Sequence, residues 1–174
     1  DKKWSFRIKV KNDNTILGMN EFSINHPKTR GFLNEFIFHE LLSRENFITL
    51  RYDFIEVILN ETNLGIYAIE EGIDKILIEN NKYRNGPVLK FNDELDWKAQ
   101  KMNVLDLNEN FIVSDISVFQ GTKVKANDVL YLNFLLANDI LNSFRNGEMT
   151  TQQVFNIEKL AKLFSLSELL GYHH

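Results

Sequence analysis

The sequence predicts an α+β fold, on three observations. Trp4-Ser5-Phe6-Arg7-Ile8-Lys9-Val10 alternates apolar and polar residues, the period of a half-buried strand. Two apolar runs, Phe54 to Leu59 and Ile66 to Ile69, flank a turn-rich segment and read as a hairpin. Two late stretches, Ala126 to Asn146 and Asn156 to Gly171, carry apolar residues at helical spacing. About five or six strands and one early helix therefore precede two long helices.

The elements follow in order. After the first strand, Asn12-Asp13-Asn14 is a turn signal. Ile16 to Ile24 is expected as the second strand, with Gly18 at a bulge. His26-Pro27-Lys28-Thr29 breaks that strand. A helix from Thr29 to Arg44 is expected next, with Thr29 as N-cap and Phe32, Leu33, Phe36, Ile37, Leu41 and Leu42 on its apolar face. The hairpin follows, its turn expected over Asn60 to Gly65, and Glu70 and Glu71 end its second strand. Ile73 to Asn80 reads as a short helix, Arg84 to Pro87 as a loop and Val88 to Phe91 as a short strand. Asn92 to Asp106 is polar and acidic around Trp97, an irregular segment, and Phe111 to Phe119 reads as a strand. The helix from Ala126 carries Val129, Leu132, Leu135, Leu136, Ile140 and Phe144 and stops at Asn146-Gly147. Asn156 caps the last helix, which Gly171 ends. Phe134, Phe144, Phe155 and Phe164 read as core.

Composition narrows the function. With 174 residues, 44% of them hydrophobic and 14 of them Phe, the chain can bury a core. The net charge is -4 with Lys and Arg dispersed, which argues against nucleic acid as a partner. No Cys is present, so disulfides and thiolate metal sites are excluded. No apolar run approaches the roughly 20 residues that span a bilayer, and no signal peptide is evident. The chain opens Asp1-Lys2-Lys3 and closes His173-His174, and an excerpt of a longer protein is expected. Neither G-x-x-x-x-G-K nor G-x-G-x-x-G occurs.

Several linked motifs resemble one family. His26-Pro27-Lys28-Thr29-Arg30-Gly31-Phe32-Leu33-Asn34-Glu35, Arg51-Tyr52-Asp53-Phe54, and Leu59-Asn60 with Leu64-Gly65-Ile66-Tyr67-Ala68-Ile69-Glu70-Glu71 are similar to the spore coat protein kinase (CotH) family. Glu79-Asn80-Asn81-Lys82, Gly86-Pro87-Val88-Leu89 and Phe155-Asn156-Ile157-Glu158-Lys159-Leu160-Ala161 fit the same pattern, in the same order. The subgroup most resembled occurs in large bacterial surface or envelope proteins. The resemblance implies an atypical protein-kinase-like fold, with residues 1–121 a β-rich N-lobe holding the helix near 29–44 and residues 122–174 the start of a helical C-lobe. It also implies ATP with Mg or Mn as cofactors, and transfer of the γ-phosphoryl to Ser or Thr of a protein substrate. A place at the cell surface or in the envelope, or secretion, follows from the subgroup. In the family a catalytic Asp, then His-Asn, then a metal-binding Asp follow the helix that here ends at Leu170-Gly171. His173 stands at the first of these, and the others are not among these residues. Catalysis is therefore not expected of this chain alone, and the alternative is a pseudokinase or a non-catalytic surface protein-binding module.

Four residues are candidates for cofactor binding. Arg30 follows a strand-to-helix turn, where a cation beside free N–H groups can hold phosphate; the competing reading pairs it with Glu35 or Asp53. Glu71 is expected at a hinge or cleft edge, or as the carboxylate complementing a helix that starts near Gly72. Lys90 and Glu35 are candidates for the kinase-like pair in which a strand Lys touches phosphate and a helix Glu orients it. Glu70 is expected in solvent, on the opposite side of its strand from Glu71. His39, beside Glu40, is expected packed or solvated, and His26 in a loop. His173-His174 lack a third metal ligand at useful spacing. Asp93, Glu94, Asp96 and Asp106 lack the calcium-loop pattern and read as solvated. A carbohydrate site would rest only on Trp4, Trp97 and the tyrosines.

Overall fold

The computed structural model describes residues 4–12, 14–91 and 115–171. They gather by packing into two units, Asp1–Asn85 with Glu158–His174, and Gly86–Ile157.

The first unit is built on a four-stranded antiparallel sheet of β1 (Phe6–Lys9), β2 (Glu21–Asn25), β3 (Tyr52–Leu59) and β4 (Thr62–Glu71), in the order β1-β2-β4-β3. Alternation along the strands sorts the side chains onto two faces. Phe22, Ile24, Tyr67 and Ile69 point to one face and join Met19 in a buried cluster, against which Phe6, Ile8 and Val57 pack. The other face receives α1 (Leu33–Arg44), through ring contacts of Phe36 with Phe54 and of His39 with Tyr52.

Several expectations for this unit are corrected. The second strand starts at Glu21, not Ile16, because Ile16 and Met19 close a tight turn on each other. Gly18 sits in that turn at φ 74, a conformation open to glycine, and is no strand bulge. The early helix is split. A 3-10 turn spans Pro27–Arg30, capped by His26, whose Nδ1 accepts from the Lys28 N–H at 3.0 Å. Thr29 is not a cap; its hydroxyl donates to the His26 carbonyl. The hairpin turn is only Asn60-Glu61, both at positive φ as a type I′ turn requires. The rest of the expected turn belongs to β4, with an irregularity between Val57 and Ile58.

The helix α2 (Lys75–Asn80) starts later than expected because Asp74 caps it through the Leu77 N–H. In the second unit, β5 (Leu89–Phe91) pairs antiparallel with β6 (Ile116–Val118). Of the strand expected from Phe111 to Phe119, the described part is β6, and its first four residues lie outside the described ones, as do Asp93, Glu94, Asp96, Trp97, Asp106 and His173-His174. The expected helix from Ala126 is preceded by a separate short helix, α3 (Gly121–Lys125). Next comes α4 (Asp128–Arg145), whose cap is Asn127 accepting from the Leu130 N–H, then α5 (Thr151–Val154). Val129, Leu132 and Leu136 are exposed on α4, so its apolar period does not mark a covered face.

The last helix, α6 (Ile157–Leu170), returns to the first unit. Lys159 Nζ donates to the Asn46 carbonyl at 2.9 Å and the Tyr83 hydroxyl at 3.2 Å and lies near both the Phe47 and Tyr83 rings. Lys162 pairs with Glu45. Phe164, expected in the core, is exposed.

Candidate functional site

Register places one polar row across the helix-bearing face of the sheet. Arg7 stands opposite Ser23, Ser23 opposite Glu70, and Glu70 opposite Tyr52. Residues directly opposite in antiparallel strands point the same way, so these four side chains share a face. Glu70 is not in solvent, as expected, but part-buried at the middle of the row. Its carboxylate pairs with Arg30 at 2.9 Å and accepts from Asn25 Nδ2. Arg30 reaches it from the 3-10 turn and pairs with neither Glu35 nor Asp53 in that contact. With 42% of its side chain accessible, the guanidinium still presents a charged edge to solvent.

Helix α1 adds two side chains above the row. Glu35 is buried, and its Oε1 lies 3.3 Å from His39 Nε2, one helical turn away. His39 Nδ1 meets the Thr49 hydroxyl at 2.7 Å, and the ring stacks on Tyr52. His39 is therefore packed and bonded at both nitrogens. The Tyr52 hydroxyl is buried without a hydrogen-bond partner. Burial first, then the negative charges of Glu35 and Glu70, push its pKa up to about 12, against an opposing effect of Arg30. Two acids, a cation and an unsatisfied hydroxyl thus surround one spot on the sheet.

Glu71 points to the opposite face. It is buried, and its carboxylate accepts from the Arg51 backbone N–H, from Nε and from Nη2. The Arg51 guanidinium also donates to the carbonyls of Leu17 and Gly18. The hydrogen bond to Glu71 holds the Arg51 pKa above its ordinary value. Glu71 therefore neutralises Arg51 and does not complement a helix terminus, since α2 begins only at Lys75. Together they wall a cleft of about 470 Å3, whose lining includes His39, Ser43, Thr49 and Asn81.

The expected residues accordingly occupy different places. Arg30 and Glu35 lie on the helix side of the sheet near Tyr52, and Glu71 lies on the other side. Lys90, in the second unit, lines an apolar hollow of about 280 Å3, with its Nζ 5.4 Å from the centre of the Phe119 ring. Sequence reasoning missed Arg51, Tyr52 and Glu70 as partners of the candidates. The signal available was the strand alternation that sends Glu70 and Tyr52 to one face and Glu71 to the other.

The exposed edge of Arg30 is charged, forked and half-accessible, the chemistry that suits phosphate. Among the described residues no group of three or more His, Cys, Asp or Glu could hold a divalent metal. No helix of the described residues is long and apolar enough to cross a membrane. The model of the family described as CotH kinase protein matches residues 1–171. No curated protein and no solved structure matched the chain.

Proposed function

Since the chain belongs to the CotH kinase protein family, we propose that it is part of an atypical protein kinase that transfers the γ-phosphoryl of ATP to Ser or Thr of a protein. In that reaction the bond from the γ-phosphorus to the β,γ-bridging oxygen breaks, and a bond to the hydroxyl oxygen forms. ADP leaves, and the hydroxyl proton passes to a base. A divalent ion, when bound, neutralises charge on the phosphates.

The observation that carries the reading is the family match over residues 1–171. The polar row supports it in physical terms. Arg30 holds a forked cation at the edge of the sheet, and Glu70 fixes its orientation at 2.9 Å. On this reading Arg30 contacts phosphate. A place at the cell surface or in the envelope is part of the proposal and rests on the resemblance alone.

The test is direct. For the full-length protein, a melting temperature that rises with ATP and Mg or Mn, falls back in Arg30→Ala, and accompanies transfer of a γ-phosphate label to protein is the expected result. No shift and no labelled product overturn the kinase reading. A second reading, a non-catalytic module that binds a protein, rests on His173 at the place of the family's catalytic Asp. Binding of ATP without transfer favours it.

A further inference from the structure

We propose that Thr49 is a second chemical site: a hydroxyl that His39 activates as a base, with Glu35 orienting His39, and that takes a phosphoryl group onto its own oxygen. The inference rests on the phosphotransfer reading only in naming ATP as a natural donor.

The first observation is a line of three polar side chains. Glu35 Oε1 and His39 Nε2 are 3.3 Å apart, and His39 Nδ1 and Thr49 Oγ1 are 2.7 Å apart. Glu35 and His39 come from α1, and Thr49 from the segment that leads into β3. An ionised carboxylate only accepts, so the ring proton is carried by Nε2. Nδ1 is then bare, and the Thr49 hydroxyl donates to it. The other acceptor within reach, the Leu50 carbonyl, is 3.5 Å away, at the limit of a hydrogen bond. An acid that orients a histidine, and a histidine that takes the proton of a hydroxyl, turn a weak nucleophile into a reactive one.

The second observation is that the line is held rigidly and ends at open space. Only 9% of the Glu35 side chain and 13% of the His39 side chain are accessible, and the His39 ring stacks on Tyr52. The Thr49 N–H donates to Asn81 Oδ1 at 3.1 Å, and its carbonyl accepts from Asn81 Nδ2 at 3.0 Å. The backbone that carries the hydroxyl is thus fixed on both sides, as a reacting group requires. Thr49 itself is half-buried and lines the cleft of about 470 Å3, whose lining residues all belong to the first unit. A buried acid and base therefore end in a hydroxyl that a reactant in the cleft can reach.

The cleft favours a phosphoryl group. Arg51 lines it two residues on, with 40% of its side chain accessible. Nε, Nη1 and Nη2 make four hydrogen bonds to Glu71, Leu17 and Gly18, and a guanidinium has five N–H groups. One Nη1 hydrogen is left for a phosphoryl oxygen. Glu40 and Asp53 line the cleft too and are exposed, which favours a donor whose own charge is neutralised. In the step itself Thr49 Oγ1 attacks phosphorus and a new oxygen–phosphorus bond forms. The Thr49 proton passes to His39 Nδ1, and Glu35 stabilises the resulting imidazolium. The bond from phosphorus to the leaving group breaks, and the leaving group departs with the electron pair.

The probe is diisopropyl fluorophosphate, a neutral phosphoryl donor that releases fluoride, applied to the full-length protein with adducts located by peptide mass spectrometry. Ser43 is the internal control, exposed in the same cleft and with no side-chain hydrogen bond among the described residues. The expected result is one diisopropylphosphoryl group on Thr49, formed about a hundred-fold faster than on Ser43. Thr49→Ser keeps the labelling and Thr49→Val abolishes it. His39→Gln slows it about a hundred-fold. Glu35→Gln keeps an acceptor but not the charge, and lowers the maximal rate about ten-fold or more without raising the reagent concentration that gives half of it. A merely structural loss would raise that concentration or lower the melting temperature. If His39→Gln unfolds, the ratio of Thr49 to Ser43 labelling in the unsubstituted protein decides. No adduct on Thr49, equal labelling of Thr49 and Ser43, or a folded His39→Gln labelled at the original rate overturns the inference. Labelling of Thr49 without any transfer from ATP supports the activated hydroxyl and counts against the kinase reading. Transfer from ATP to a protein substrate, with Thr49 inert to the fluorophosphate, overturns the inference and leaves the kinase reading intact.

Discussion

Glu71 and Arg51 are joined by both backbone and side chain. The Glu71 N–H donates to the Arg51 carbonyl, and the Arg51 N–H, Nε and Nη2 all donate to the Glu71 carboxylate. The same guanidinium holds the carbonyls of Leu17 and Gly18, so one ion pair fastens the turn before β2 to the end of the hairpin. Removing one member leaves the other desolvated and partly unsatisfied. Glu71→Gln is expected to destabilise the fold by about 2 kcal/mol, discounted for the exposure of Arg51. A urea midpoint that does not move would show the pair to be dispensable.

Tyr52 carries a different imbalance. Its hydroxyl is buried without a partner, so Tyr52→Phe removes a polar group that gains nothing from being there. Stability is expected to stay level or rise by about 1 kcal/mol. A loss of that size instead would mean that the hydroxyl is satisfied in solution.

The same residue sets a pH dependence. The folded pKa, about 12, lies above the ordinary value of 10.0. The folded state therefore binds the phenolic proton more tightly than the unfolded state does. The contribution to stability is fully present below about pH 10 and disappears as pH rises from there through about 12. Absorbance titration of tyrosinate should resolve one late-titrating phenol among the five tyrosines, and Tyr52→Phe should remove it. Five phenols titrating together near 10 would contradict the burial of Tyr52.

Gly72 sits where β4 meets β2. A Cβ there would lie 2.9 Å from the Glu21 carbonyl oxygen, and the Gly72 N–H donates to that oxygen at 2.7 Å. Gly72→Ala must push a backbone strand aside, at an expected cost of about 1–3 kcal/mol. Thermal unfolding measures it, and an unshifted midpoint rejects the close approach.

Asn81 pins the segment between α1 and β3. Its Oδ1 accepts from the Thr49 N–H, and its Nδ2 donates to the Thr49 and Leu77 carbonyls. Asn81→Ala is expected to cost about 1–3 kcal/mol and to speed hydrogen exchange at Thr49 and Arg51. Exchange unchanged at those amides would place the restraint elsewhere.

Much of the sheet was legible because strand period is local. Phe6 and Ile8 alternate with Arg7 and Lys9 in the sequence and in their burial. Turn geometry was less legible. Asn60-Glu61 lacks the Gly that advertises a type I′ turn, so the turn was read as longer than it is. The start of α1 was misplaced because Phe32 takes a positive φ that no propensity predicts. On α4, Val129 and Leu132 share the apolar spacing that marks a helical face, yet both are exposed; period reports which residues share a side, not what covers it.

The order of strands and helices, the hairpin and the family were determined by the sequence alone, through short-range period and ordered motifs. Which acid meets which base was decided by the tertiary structure. Glu70 and Glu71 are neighbours in the chain, yet the strand sends one to Arg30 on the helix side and the other to Arg51 on the core side. Those pairings depend on register between strands far apart in sequence, and on the desolvation that register imposes, and neither is encoded in any local run of residues.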